Sequence, residues 1–134
     1  GTLRRVHFLP RLSPADYLSL MHQADVVLDP FPFGGGVTML EAFSVCAPVV
    51  TCPSLQTVPT LAAGMYEIMG LAADRVPIAT SPSDFVQKTV SLLENPQSLR
   101  TLQNSICATK NKLFDQQQVI FEWSSFLKKV GRRG

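Results

Sequence analysis

Charge is scarce in this chain. Only 16% of its 134 residues are Asp, Glu, Lys or Arg, against 46% apolar, and the formal net charge is +2. That balance excludes a disordered polypeptide, which needs the reverse. It also suggests surface meant to be covered by the rest of a longer chain. Basic residues gather only near the ends, at Arg4 and Arg5 and then at Lys128, Lys129, Arg132 and Arg133. With no aromatics interleaved, such clusters read as solvated ends and not as a nucleic-acid face. Histidine is limited to His7 and His22, and cysteine to Cys46, Cys52 and Cys107 without CxxC spacing. No zinc ligand set can be written from these. The expectation is three reduced thiols packed in the core of an intracellular protein, cytoplasmic or nuclear. Also missing are a signal peptide and an apolar run of the roughly 18 residues that a membrane span requires. The length suits one domain with its own core. Because the chain opens abruptly into an apolar segment, residues 1–134 are expected to be a fragment of something larger.

What is present alternates. RVHFL (Arg5 to Leu9), ADVVLD (Ala24 to Asp29), PVVT (Pro48 to Thr51) and VPIA (Val76 to Ala79) are short apolar runs of strand length. Between them lie helical segments. One opens with Ser13 as N-cap, Pro14 at the first helical position and Asp16 in the first turn, and another repeats that start at Ser81. Helices are also expected from Val37 to Val45, from Pro59 to Met69, from Pro96 onward, and over FDQQQVIFEWSSFLKKV. The order β-α-β-α-β-α-β with a helical tail, and strands without polar alternation, predict an α/β fold. Its parallel sheet would be doubly wound and Rossmann-like, with strands buried on both faces.

In such a sheet, ligands sit outside the carboxyl ends of the strands. There the chain places Gly34, Gly35 and Gly36, between VVLD and a helix. Glycines let backbone approach a ligand closely, and the following helix start attracts phosphate. Thr38 adds a hydroxyl. The pattern is neither GxGxxG nor a P-loop, so it also fits a tight connection and nothing more. Glu41, one turn beyond Thr38, is a lone acid among Leu40, Ala42 and Phe43. It suits vicinal hydroxyls of a ribose, or else a capping partner for the helix N-terminus.

DPFPFGGGVTMLEAFSVCAPVVT resembles the nucleotide-sugar-binding segment of GT-B glycosyltransferases. More narrowly, RVHFLP…ADVVLDPFPFGGGVTMLEA, with PVVTCPS, MGL and LFDQQQ, resembles the carboxy-terminal half of the O-linked N-acetylglucosamine transferase and SPINDLY group. The resemblance implies that Gly35, Gly36, Val37 and Thr38 bind a donor diphosphate and that Glu41 binds ribose. Backbone around Arg11 and Leu12 would hold the base, with Tyr17 stacking on it or else serving as a core-edge aromatic. The donor would be UDP-N-acetylglucosamine, or alternatively GDP-fucose, and the acceptor a Ser or Thr of a protein. No metal or other cofactor is called for in that scheme. Partners would be the amino-terminal catalytic half of the same chain and, upstream, tetratricopeptide repeats; neither nucleic acid nor membrane is expected.

The departures are specific. Animal relatives carry His-Thr-Thr where Gly36, Val37 and Thr38 stand here. An Arg and a Lys of those relatives have no counterpart at Leu20 and Pro14. Retaining GT-B enzymes often carry a second Glu eight residues before the first, where this chain has Phe33, which favours inversion. His22 has a base-like side chain but sits in the helix before ADVVLD. It is expected at the surface or near the base pocket, and no residue of the chain is assigned as a catalytic acid or base. Two rival expectations stand beside the transferase: a non-catalytic α/β interaction module that has lost its ligand, and half of a nucleotide-sugar epimerase.

Overall fold

The computed structural model describes residues 5–53, 60–114 and 116–131. Arg4, Pro59, Arg132 and Arg133, with Ser54 of PVVTCPS and Asp115 of LFDQQQ, lie outside them. In order, the elements are α1 (Pro14–Gln23), β1 (Val27–Leu28), α2 (Val37–Ser44), β2 (Val49–Val50), α3 (Leu61–Met69), α4 (Pro82–Glu94), α5 (Pro96–Thr109) and α6 (Gln117–Gly131). Short 3-10 turns follow α3 and α5, at Ala73–Arg75 and Lys110–Leu113.

Helix starts form where capping chemistry demands them. Ser13 accepts from the Asp16 N–H at 3.2 Å, and Ser81 accepts from the Asp84 N–H at the same distance. Each spares its helix one orphan donor. Gly70, at φ 78°, ends α3 in the left-handed region that suits glycine, and the Lys112 ammonium donates to the Met69 carbonyl at 3.1 Å.

The sheet is smaller than expected. β1 and β2 pair in parallel, Val27 with Val49 and Leu28 with Val50, and the expected strand at 76–79 contributes one parallel bridge, Thr51 to Ile78. Residues 6–12 form no regular element, so the strand expected from Arg5 to Leu9 is not there. Phe8 is 95% exposed; a segment that buries so little gains nothing to offset the entropy of ordering it. The described residues are therefore α/β and mostly helical, with a two-stranded parallel sheet and not a four-stranded, doubly wound one.

The main core joins Met21 of α1, Met39, Ala42 and Phe43 of α2, Val49, then Ala62, Met65, Tyr66 and Met69 of α3, with Leu102 and Ile106 of α5. At its centre the Phe43 and Tyr66 rings meet edge to face, 4.9 Å apart. The Tyr66 hydroxyl accepts from the Val49 N–H at 2.8 Å and donates to the Val49 carbonyl at 2.9 Å. One residue pair further on, the third strand line takes over: Thr51 N–H donates to Pro77, and Ala79 N–H donates to Thr51. Tyr66 thus stands in for a neighbouring strand where none is present. Burial pushes its phenol well above the ordinary range, so near neutral pH it is protonated and can donate.

The cysteine expectation is overturned in part. Cys46 and Cys107 form a disulfide, with Cα atoms 5.0 Å apart and a sequence separation of 61. Cys46 reaches this position through a φ of 66°, rare for a non-glycine residue. Cys52 is a buried free thiol, as expected. α6 has no buried residue, and its Ile120, Phe121, Trp123, Phe126 and Leu127 are all more than half exposed. Among the described residues no helix is long and apolar enough to cross a membrane.

Replacing Tyr66 by Phe keeps the ring but strands both polar groups of Val49. We expect a loss of about 2–3 kcal/mol from chemical denaturation, and a loss below ~0.5 kcal/mol would mean the hydroxyl bridges nothing of consequence.

Candidate functional site

The site is built where β1 ends. Asp29, one residue past the strand, is 1% exposed. Its N–H donates to the Val50 carbonyl at 2.9 Å, so it continues the parallel ladder. One carboxylate oxygen accepts from the Thr51 hydroxyl at 2.8 Å, and the other accepts from the Gly35 N–H at 2.7 Å. Charge-assisted bonds of this kind satisfy a buried carboxylate and fix whatever donates to it. Here they clamp the glycine turn to the strand ends.

Between Asp29 and Gly35 the chain turns back on itself. The Gly34 N–H donates to the Pro30 carbonyl, and Gly34 takes φ 69°. Phe31 packs edge to face on Phe85 of α4 at 5.3 Å. The next two glycines do different things. A Cβ on Gly35 would sit 2.6 Å from the Thr38 hydroxyl oxygen and 2.8 Å from the Met39 methyl carbon, so a side chain there requires Thr38 and Met39 to shift. A Cβ on Gly36 would meet only a Leu61 methyl at 3.8 Å.

Gly36 is the N-cap of α2, and no side chain caps the helix. The first N–H groups to bond within it belong to Met39 and Leu40, both to the Gly36 carbonyl. Val37 and Thr38 lie ahead of them, both exposed. Met39, Ala42 and Phe43 face the core, which leaves Thr38 and Glu41, three residues apart, on one face beside it. Glu41 is half-buried. The capping-box position three residues after the N-cap is Met39 and not Glu41, so the capping alternative for Glu41 has no place in this helix.

Arg11, Leu12 and Tyr17 meet in a shallow depression of about 390 Å³, with Leu9, Pro10 and Leu20. Tyr17 also packs against the main core, as its core-edge alternative has it. The glycine turn does not line this depression, but α1, which carries Tyr17, packs on α2, which carries Thr38 and Glu41. Larger hollows, one of about 770 Å³ beside α3 and one of about 480 Å³ between the Ala73–Arg75 turn and α4, contain none of the predicted site residues. Volume alone is a poor guide in a site made of an open helix end. His22 lies exposed in the last turn of α1, and Phe33 is 71% exposed.

Sequence reasoning passed over Asp29, although it is quoted in the motif. The signal was available: an acid at the end of an apolar strand, six residues ahead of a glycine. Its consequence is that the Gly35 N–H is already engaged. Gly35 is therefore held close to the strand ends and does not direct its N–H outward. Among the described residues no group of three His, Cys, Asp or Glu side chains could hold a metal ion.

No protein-family model and no curated protein sequence matches the chain. Among solved structures it is similar to a mutant of the O-GlcNAc transferase of Thermobaculum terrenum, with a TM-score of 0.77 and 22% sequence identity. The match covers 97% of this chain and 24% of that one, so the chain spans about a quarter of that protein. The likeness is one of fold: this chain is folded like part of a GT-B glycosyltransferase.

The two glycines should respond oppositely to alanine. Gly35→Ala is expected to cost about 1–3 kcal/mol through overpacking, while Gly36→Ala should stay within ~1 kcal/mol of wild type; thermal melts of both decide it. Asp29→Ala leaves the Gly35 N–H without its acceptor and is expected to cost about 3 kcal/mol, with a shift of the Gly35 amide resonance that Asp29→Asn largely restores.

Proposed function

We propose that this chain is the donor-binding part, towards the carboxy-terminal end of the catalytic region, of an inverting protein O-glycosyltransferase of the O-linked N-acetylglucosamine transferase and SPINDLY group. Its parent moves N-acetylglucosamine, or alternatively fucose, from a nucleoside diphosphate to Ser and Thr hydroxyls of proteins. The observation that carries this reading is the uncapped N-terminus of α2, with Thr38 and Glu41 on one face beside the core. The fold shared with the Thermobaculum terrenum enzyme supports it.

In this reading the donor diphosphate lies at the start of α2. The helix end supplies a partial positive charge and outward N–H groups at Val37 and Thr38, and Thr38 adds its hydroxyl. Glu41, one turn deeper, accepts hydrogen bonds from the ribose hydroxyls. Tyr17, Arg11 and the backbone at Leu12 hold the base in the depression beside α1. As the acceptor oxygen attacks the anomeric carbon, the bond to the diphosphate breaks on the opposite face, and the helix end meets the charge that develops there. The acceptor, and the group that takes its proton, belong to the other half of the cleft. The nucleotide site on this half is open, so the isolated chain binds weakly and turns nothing over.

The test is a calorimetric and ligand-observed NMR titration of the chain, and of its intact parent, with UDP and GDP, beside Glu41→Gln. Wild type should bind one of the two, and the substitution should weaken it about tenfold, equivalent to ~1.4 kcal/mol. Preference for UDP points to N-acetylglucosamine and for GDP to fucose. No binding by chain or parent would sink the reading and leave an α/β interaction module. Binding with a free nucleotide-sugar product and no glycosylated protein would make the parent an epimerase.

A further inference from the structure

The strongest feature left unused lies at the other end of α2. That helix has two turns, with no acidic residue in its first turn and no basic residue in its last. Its carboxyl end is tied to α5 twice. The Lys110 ammonium, just past α5, donates to the Ser44 carbonyl, and the Cys46–Cys107 disulfide follows two residues beyond Ser44. Ser44 in turn donates its hydroxyl to the Glu41 carbonyl at 2.6 Å. Glu41 is therefore one hydrogen bond away from a residue held by α5. Cys107 is exposed and Cys46 half-buried, so a reductant can reach the bond from solvent.

We propose that the Cys46–Cys107 disulfide is a redox-sensitive lock that sets the position of α2, and with it the affinity of the nucleotide site at the helix's opposite end. The proposal rests on the donor-site reading above. A dithiol reductant supplies the two electrons. One of its thiolates attacks the exposed Cys107 sulfur, forming a mixed disulfide and releasing Cys46 as thiolate, which takes a proton from water. The reductant's second thiol, losing its proton, then displaces Cys107 and closes the reductant's own disulfide. Met39, Ala42 and Phe43 remain buried throughout, so α2 does not unfold. Its carboxyl turn loosens, Glu41 and Thr38 lose their fixed alignment with Gly35, and the diphosphate and ribose contacts no longer form together.

The decisive experiment compares the chain purified without reductant, the same chain after treatment with a dithiol, and the Cys46→Ser/Cys107→Ser double variant. Thiols are counted after denaturation. UDP and GDP are titrated, and amide hydrogen exchange is followed over residues 35–46. The oxidised chain should show one thiol, from Cys52, and the reduced chain three. Reduction should weaken nucleotide binding on the order of fivefold, reversibly, and speed exchange at 38–46. The double variant should match the reduced chain and ignore reductant. Three thiols in the untreated chain would overturn the proposal, and so would equal affinity and exchange in both states. If neither nucleotide binds in any state, to the chain or to its intact parent, the donor-site reading fails. The exchange comparison still decides the lock: unchanged protection overturns it, and faster exchange confined to α2 upholds the coupling.

Discussion

One carboxylate organises the working edge of this domain. Asp29 is buried at the end of β1 and takes hydrogen bonds from Thr51 on one oxygen and Gly35 on the other. A buried charge is tolerated only when its lone pairs are met, so the turn cannot drift without exposing that cost. The requirement propagates outward. Gly35 comes so close to the Thr38 and Met39 side chains that a Cβ would displace them, Gly34 turns in the left-handed region, and Gly36 becomes the N-cap of α2. The direction in which the helix presents its first N–H groups follows from that single clamp.

Behind the edge, the sheet is narrow but continuous where it matters. β2 bonds to β1 on one side through Pro48 and Val50, and on the other first to the Tyr66 hydroxyl and then to the line of residues 77–79. A side chain in place of a strand shortens the sheet at its amino-terminal end and leaves intact the carboxyl ends, where Asp29 and Thr51 meet. The helices then divide the labour. α3 and α5 fill the core, while α1 and α2 lie against one another and carry Tyr17, Thr38 and Glu41.

Much of this was legible in the residues, though unevenly. Ser13-Pro14-x-Asp16 and Ser81-Pro82-x-Asp84 announce helix starts because capping is local chemistry, and both helices begin where those residues put them. The strands were harder. VVLD and PVVT pair in parallel, but RVHFL does not become a strand, because apolar character promises burial only when a neighbour exists to supply it. The disulfide had no local sign: its cysteines stand 61 positions apart, and only the fold brings them together. Glycine counting found the turn without telling its members apart. Gly34 is needed for its dihedral and Gly35 for its missing Cβ, and these are facts of three-dimensional crowding that a run of three identical letters conceals.

Gly36 is the exception in that run. Its φ of −101° is ordinary for any L residue, and the space where a Cβ would stand is open to the nearest Leu61 methyl. The space at the mouth of the helix therefore has room for a side chain at this position. An imidazole or hydroxyl could be installed there by a single codon's drift, without moving the clamp beneath it. The side chain at this position can diversify while the uncapped helix end stays constant, which makes this residue the cheapest point at which a lineage could alter the chemistry displayed there.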